Sequence, residues 1–246
     1  MCKAMSCDKI VTRIAATRNR TEPLIGSVSG STLSNDKVWL WGDDNMLPYA
    51  LSTMARRSVT HRRIINDKAD YIAGKGIAYS EEIPLRGDIV RHANGSGETL
   101  RSVIARLALD EAMFGNAFME VVTDASHTFL SLYHRDASTC RLARDSEHVI
   151  MHHDWRQYRS SEATTLPLFP QFEEQADGTL RSVVHYKDYE PTFSHYGVAP
   201  YIAGLGAAAI LYKTDRWNIA RLDNSFQLSG VMMLDGAVGN EEEADR

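Results

Sequence analysis

Gly115 separates two hydrophobic periods that no single secondary structure accommodates. Before it, Leu100, Val103, Ile104, Leu107, Ala108, Ala112 and Phe114 recur at helical spacing. After it, Phe118-Met119-Glu120-Val121-Val122 and Phe129-Leu130-Ser131-Leu132-Tyr133 follow a two-residue period. Helical neighbours share a face at i+3 and i+4, strand neighbours at i+2, so the chain must turn from helix into sheet at this glycine. The pattern predicts a helix capped by Ser96 or Thr99 and stopped by Gly115, then a β-hairpin through Asp124-Ala125-Ser126-His127. Any fold consistent with it is α+β.

The flanking segments extend the same reading. Leu51, Met54, Ile64, Ile65 and Ile72 predict helix from Pro48 to Ala73 with an internal break, Asn45 being the candidate cap and Gly74 the stop. Breakers from Lys75 to Gly97 predict turns and a short strand. Further strands are expected over Thr139–Ala143, His148–His153 and Leu180–Tyr186, the last following the Asp177-Gly178 turn dipeptide, while 160–175, with Pro167 and Pro170, reads as an exposed loop. Tyr201, Leu205, Ala208, Ala209, Tyr212, Ile219, Leu222 and Phe226 predict a long helix opened by Pro200, followed by an apolar strand over Gly230–Leu234 and an acidic end, Glu241-Glu242-Glu243. Residues 1–35, rich in Ser, Thr, Arg and Asn, read as a loosely ordered arm.

Charge and cysteine usage limit the function classes. With 27 Lys+Arg against 32 Asp+Glu the formal charge is −5, which gives no global attraction to a polyanion whose binding rests on phosphate neutralisation. Cys2, Cys7 and Cys140 form neither a disulfide framework nor a paired zinc motif, so a reducing interior is the simpler reading. No signal-peptide core or long uninterrupted apolar run is present, so neither secretion by a signal peptide nor a membrane-spanning segment is expected. The chain lacks the G-x-x-x-x-G-K-[ST] loop of nucleotide-driven motors. Asp110 and Glu111, adjacent on a helix, diverge by about 100° and do not form an acid–base pair.

Four segments resemble the portal proteins of tailed bacteriophages. They are WGDDNMLP at 41–48 with SVTHRRIINDKADYIAGKGI at 58–77, LALDEAMFGNAFMEVV at 107–122, HYKDYEPTFSHYGVAPYIAG at 185–204, and the helix running into RLDNSFQLSGVMML at 221–234. Their order and spacing across 41–234 carry the resemblance. It implies the N-terminal half of such a protein: an arm at 1–35, an α+β wing of helices and β-hairpins at 36–195, a long stem helix at 196–228, and the start of a clip at 229–246, truncated there. Asn224-Ser225 departs from the Asn-Gly step found near the helix end in relatives.

The function the resemblance implies is that of a non-enzymatic subunit of a dodecameric ring at the virion head vertex, assembled in the host cytoplasm. Such a ring forms the DNA conduit for packaging and ejection and docks the packaging motor. The implied partners are copies of the chain itself, the terminase large subunit, a capsid or scaffolding protein, a head–tail adaptor and double-stranded DNA in transit, with no membrane, cofactor or metal. Trp217, Asn224 and Phe226 are expected at stem or clip contacts. Gly115, Asn116, Tyr196, Gly197 and Pro200 are expected at structural turns. Arg56, Arg57, Arg62 and Arg63 are the candidate polyanion-facing group, weighed against a solvated helix face. The alternative from another class is a nucleic-acid-processing or metal-dependent enzyme built on His148, His152 and His185, with His153 and Asp154 nearby. In a strand, His152 and His153 would point to opposite faces, which argues against it.

Overall fold

A computed structural model describes residues 37–77, 87–126 and 130–223 of the 246-residue chain. Contacts divide it after Ala203 into two compact units. The first begins with two helices, α1 (Leu47–Arg57) and α2 (Val59–Ala73), where one broken helix was expected. The break is Ser58, whose extended backbone (φ −122°, ψ 112°) ends α1 while its hydroxyl accepts from the His61 N–H at 3.3 Å and caps α2. Gly74 (φ 52°) stops α2, and Arg101 donates to its carbonyl at 3.1 Å. Asn45 does not cap α1. It sits at φ 65°, its side-chain oxygen accepting from the Trp41 N–H and from Arg141, and Met46 takes the cap position without a side-chain bond.

The described part of 75–97 contains a short helix, α3 (Gly87–Arg91), and turns; the strand expected in this region is not found among its described residues, and 78–86 lie outside them. Helix α4 (Leu100–Phe114) is capped by Thr99, whose hydroxyl accepts from Ser102 N–H at 3.2 Å, and is closed by Gly115 in the left-handed region (φ 68°, ψ 14°). Ala93, Leu100 and Val103 are buried together under Ile104, Leu107 and Leu132.

From Gly115 the chain enters β1 (Asn116–Thr123), which pairs antiparallel with β2 (Leu130–Arg135) as the alternating pattern requires. A second sheet follows, in the order β3 (Cys140–Leu142), β4 (His148–Met151) and β5 (Thr164–Pro167). The chain then forms β6 (Glu173–Glu174) and β7 (Leu180–Lys187), and β7 lies on the other side of β1, giving the order β2-β1-β7-β6. The exposed-loop reading of 160–175 is therefore corrected. In β5 Thr164 and Thr165 are exposed while Leu166 and Pro167 are buried side by side, so the strand carries no two-residue alternation to register in the sequence.

The two faces of β1 have different partners. On one, Glu120 is fully buried between Arg135 and Arg181, its neighbours on β2 and β7. On the other, beside Met119, His134 of β2 meets Asp110 of α4 at 2.8 Å. Asp110 also accepts the Ala137 N–H at 2.9 Å, and burial raises its carboxyl above the usual range. Glu111 turns instead to Lys68 on α2 at 3.2 Å, so the two adjacent acids diverge.

The second unit contains α5 (Leu205–Asp223). The long helix starts later than expected: Pro200 and Tyr201 lie in a turn and Ile202–Gly204 form a 3-10 turn, with the Ile202 N–H bonded to Ala199 O at 2.9 Å. Its continuation past Asp223, with Asn224, Phe226 and the apolar run Gly230–Leu234, lies outside the described residues, as does the arm at 1–35. Among the described residues no helix is long and apolar enough to cross a membrane.

Candidate functional site

The structure joins two motifs that stand 81 residues apart, Phe114-Gly115-Asn116 and Tyr196-Gly197. Asn116 is the centre. Its Nδ2 donates to Phe114 O and to Gly197 O, both at 2.9 Å, while its Oδ1 accepts from the Gly197 N–H at 2.8 Å and from His185 Nε2–H at 3.0 Å. All four hydrogen-bonding positions of the side-chain amide are thus used in a residue with no exposed surface. The backbones around it touch: Asp188 N–H donates to Gly115 O at 3.0 Å, and a Cβ on Gly197 would lie 2.2 Å from that same oxygen. A Cβ on Gly115 would meet Val198 O at 2.2 Å.

Tyr196 carries the junction toward the second sheet. Its ring stacks on Trp41 at 4.6 Å, and its hydroxyl donates to Trp39 O and accepts the Leu142 N–H, both at 2.9 Å. Burial pushes its phenol well above the ordinary tyrosine range, so it stays neutral and keeps its proton for Trp39. Tyr201 donates to Met113 O at 2.7 Å. The segment from Tyr196 to Tyr201 is therefore bonded to α4, to the start of β1 and to β3. An apolar cleft beside the Trp41–Tyr196 stack is lined by Leu47, Leu51, Phe114, Phe193 and Ile202, without an acid or nucleophile in its wall.

His185 gives the junction a measurable pH signature. It stacks on Phe118 at 4.4 Å, and burial, with Lys187 a smaller influence, lowers its pKa from 6.5 to about 3. Above pH 6.5 the ring is neutral in both folded and unfolded chains. Below it the unfolded chain takes up a proton that the folded chain refuses, so this contribution to stability falls by about 1.4 kcal/mol per pH unit on the way down to the folded pKa. Asp110 and Glu111, raised by burial, act in the opposite sense as the pH falls toward their ordinary values. Those groups are common to the wild type and to His185→Gln, so the difference between the two isolates His185. Urea midpoints at pH 7, 6, 5 and 4 should fall less steeply for His185→Gln; equal slopes would show that the ring is not held neutral.

The histidines of the enzyme reading do not converge. His185 belongs to the junction, and His148, on β4, bonds Asp145 at 2.8 Å. His152 does approach His153 and Glu162, with ligand atoms within 4.8 Å of one another, because β4 ends at Met151 and the strand rule that would separate the two histidines no longer applies. The donor chemistry is unsuited to a metal. A ligating imidazole offers one nitrogen to the ion and carries a proton on the other. Nδ1 of His152 instead accepts the Asp154 N–H at 3.1 Å, which commits the one free lone pair of the neutral ring and leaves its proton on Nε2, and Glu162 is engaged by Arg159 at 3.2 Å.

The basic group is divided between two helices. Arg56 and Arg57 end α1, with Arg56 bonded to Ser52 at 2.7 Å; Arg62 and Arg63 follow on α2, with Arg63 paired to Asp67 at 3.1 Å. Trp217 is 57% exposed on α5, with Arg221 over its ring at 4.5 Å.

Sequence inspection does not identify Arg141. It is fully buried, 5.4 Å from the Trp41 ring and 5.1 Å from Trp155. Its guanidinium donates to Asn45 Oδ1 (2.5 Å), Asn45 O (2.9 Å), Ser138 O (3.0 Å) and Cys140 O (2.7 Å), none of them a carboxylate.

No protein-family model matches the chain, and no curated protein matches it. Solved structures do. A chain from the neck of an empty gene transfer agent (GTA) particle, computed with C6 symmetry, superposes with a TM-score of 0.60 at 18% identity, over 90% of this chain and 58% of that one. A chain from the virion of a native GTA particle gives 0.56 at 18%, over 89% and 56%. A chain from the neck of a native GTA particle, computed with C12 symmetry, gives 0.56 at 17%, over 87% and 55%. At these identities the likeness is one of fold, and this chain spans little more than half the length of those it matches.

Proposed function

We propose that this chain is a structural subunit of a phage-type portal ring, surrounding the channel through which double-stranded DNA enters and leaves the head. The observation that carries the reading is the fold shared with a chain of a GTA particle neck over 90% of its length. Independent support comes from α5, which leaves Ile210, Leu211, Trp217, Ile219 and Leu222 more than half exposed. A row of such side chains calls for protein contacts. The net charge of −5 suits a conduit, since every phosphate neutralised by the wall would add salt-sensitive affinity and retard the moving duplex.

In this reading the partners are further copies of the chain in a ring of twelve, a capsid or scaffolding protein, the terminase large subunit, a head–tail adaptor and the DNA in transit. The ring sits at the virion head vertex after assembly in the host cytoplasm. Trp217, Asn224 and Phe226 serve contacts between subunits, Arg56, Arg57, Arg62 and Arg63 are the candidate polyanion-facing group set against a solvated helix face, and no residue is catalytic. Native mass spectrometry at two protein concentrations, with negative-stain microscopy of the large species, tests it. Rings of about twelve copies, within the usual preference for closed symmetry, are expected. A compact monomer at both concentrations that turns over a nucleic-acid substrate would overturn the reading.

A further inference from the structure

We infer that Asn94-Gly95 is a self-modification site: in the unfolded chain the Gly95 nitrogen converts Asn94 to aspartate or isoaspartate, and folding of the turn around it shuts that reaction off. The inference stands independently of the ring reading. Asn94-Gly95 is the sequence's single Asn-Gly step, and a following glycine, having no Cβ, lets the backbone nitrogen approach the side chain most freely. In the reaction the Gly95 N–H gives its proton to a solvent base and the nitrogen attacks Asn94 Cγ. The Cγ–Nδ2 bond breaks, and the amide leaves as ammonia after taking up a proton. Water then opens the five-membered imide, giving aspartate when it adds at Cγ and isoaspartate when it adds at the Asn94 backbone carbonyl. One water is consumed and one ammonia released, with no change of oxidation state.

The folded turn holds both reacting groups in other bonds. Asn94 is 5% exposed. Its Nδ2 donates to Glu98 Oε2 at 2.8 Å and to Leu132 O at 3.0 Å, while its Oδ1 accepts the Ser96 N–H at 3.0 Å and the Glu98 N–H at 3.3 Å. Every hydrogen-bonding position of the amide is thereby used. The attacking nitrogen is engaged as well, the Gly95 N–H donating to the Tyr133 hydroxyl at 3.3 Å. Ala93 N–H to Glu98 O (2.7 Å), Gly97 N–H to Asn94 O (3.1 Å) and Leu132 N–H to Ala93 O (2.7 Å) close the turn onto β2. The product does not fit this place. Aspartate sets an oxygen where Nδ2 stood, against two acceptors, Glu98 Oε2 and Leu132 O. The hydrogen bond from Asn94 holds the Glu98 carboxyl below its ordinary range, with Arg106 lowering it further, so the product brings two carboxylates face to face. Isoaspartate lengthens the main chain by a methylene and displaces Ala93 O from Leu132. A chain that folds late is thus consumed chemically, because the unfolded state reacts and its product has lost the clasp on β2.

Peptide mass spectrometry of the full chain, incubated at mildly alkaline pH in buffer and in guanidinium chloride, tests the inference. In denaturant the peptide carrying Asn94 is expected to gain the mass of an amide-to-acid conversion and to split into aspartate and isoaspartate forms. In buffer the conversion is expected to be slower by about tenfold or more, since only the locally opened fraction reacts. Gly95→Ala is expected to keep the wild-type urea midpoint and to suppress conversion in denaturant. Gly95 lies outside the left-handed region, and its added Cβ would meet only the Tyr133 hydroxyl, at an ordinary 3.5 Å. Asn94→Asp is expected to lower the midpoint, and Asn94→Asp with Glu98→Gln, which returns a donor to the pair, to recover part of the loss. Equal conversion rates in buffer and denaturant would overturn protection by the fold, and no conversion in denaturant would overturn the site itself. An Asn94→Asp chain as stable as wild type would overturn the loss of the clasp.

Discussion

Gly197→Ala is expected to abolish the cooperative unfolding transition of the chain. The added Cβ would lie 2.2 Å from Gly115 O, 2.8 Å from Asp188 N and 2.9 Å from Asp188 O. All three are backbone atoms, so no side-chain rotation relieves the overlap, and relief requires parting the junction that Asn116 holds with four hydrogen bonds. Such a change belongs to the small class that costs more than about 4 kcal/mol, against a total stability of about 5–15 kcal/mol for a domain. Gly178→Ala is the matched control, since that glycine has φ +77° and a Cβ added there would meet nothing within 4 Å; it carries only the left-handed penalty of about 1–2 kcal/mol. Urea unfolding followed by circular dichroism checks both. A Gly197→Ala midpoint no lower than that of Gly178→Ala would mean that the two backbones are not in contact.

Arg141→Ala has the second largest expected effect, about 3–5 kcal/mol of stability, from buried carbonyl oxygens left without a donor, at about 1–3 kcal/mol each, and from the cavity that the side chain vacates. The substitution leaves Ser138 O, Cys140 O and Asn45 O without their donor and opens a space between two indoles. Burial already lowers the guanidinium pKa, but arginine stays protonated in proteins, so the native state holds a positive charge whose direct partners are amide and carbonyl oxygens and aromatic faces. Arg141→Lys is expected to recover little, because an ammonium is a point charge and does not reproduce the planar fork shared by Asn45 and the two β3-side carbonyls. Arg141→Met, which keeps the volume, should fall between Ala and wild type. Tryptophan fluorescence in urea reports the change through Trp41 and Trp155; an Arg141→Ala chain as stable as wild type would refute the assignment.

What can be read from sequence and what cannot divide along physical lines. The helix-to-sheet turn at Gly115 is legible because a change of hydrophobic period is local, and so are the Thr99 cap and the presence of β1 and β7 as strands, although burial alternates along neither. The 107–122 and 185–204 segments are recognisable separately, yet nothing local states that Asn116 and Gly197 meet; that pairing is set by the register of β1 on β7. Arg141 is hidden for another reason. In β3 all three residues, Cys140, Arg141 and Leu142, are buried, so the two-residue rule that assigns alternate residues to solvent fails in a strand covered on both faces. The His152–His153 approach escapes the pattern because periodicity carries the strand two residues too far, which is the usual uncertainty at an element boundary.

The position of β1 between β2 and β7 has a consequence for how the chain is made. β2 follows β1 after a short hairpin and pairs with it early, but β7 begins only after the whole β3-β4-β5 sheet has been synthesised. At a ribosomal rate of about 5–20 residues per second, one long edge of a strand that is almost wholly buried in the finished protein stays without its partner for several seconds. A nascent chain in that state offers an unpaired template to any other chain nearby, and polysomes place identical chains side by side. The late arrival of β7, with the Tyr196-Gly197 segment directly behind it, makes the closing of the junction the step that ends this exposure. Slower translation across the β3-β4-β5 insertion is thereby expected to lower the yield of folded chain.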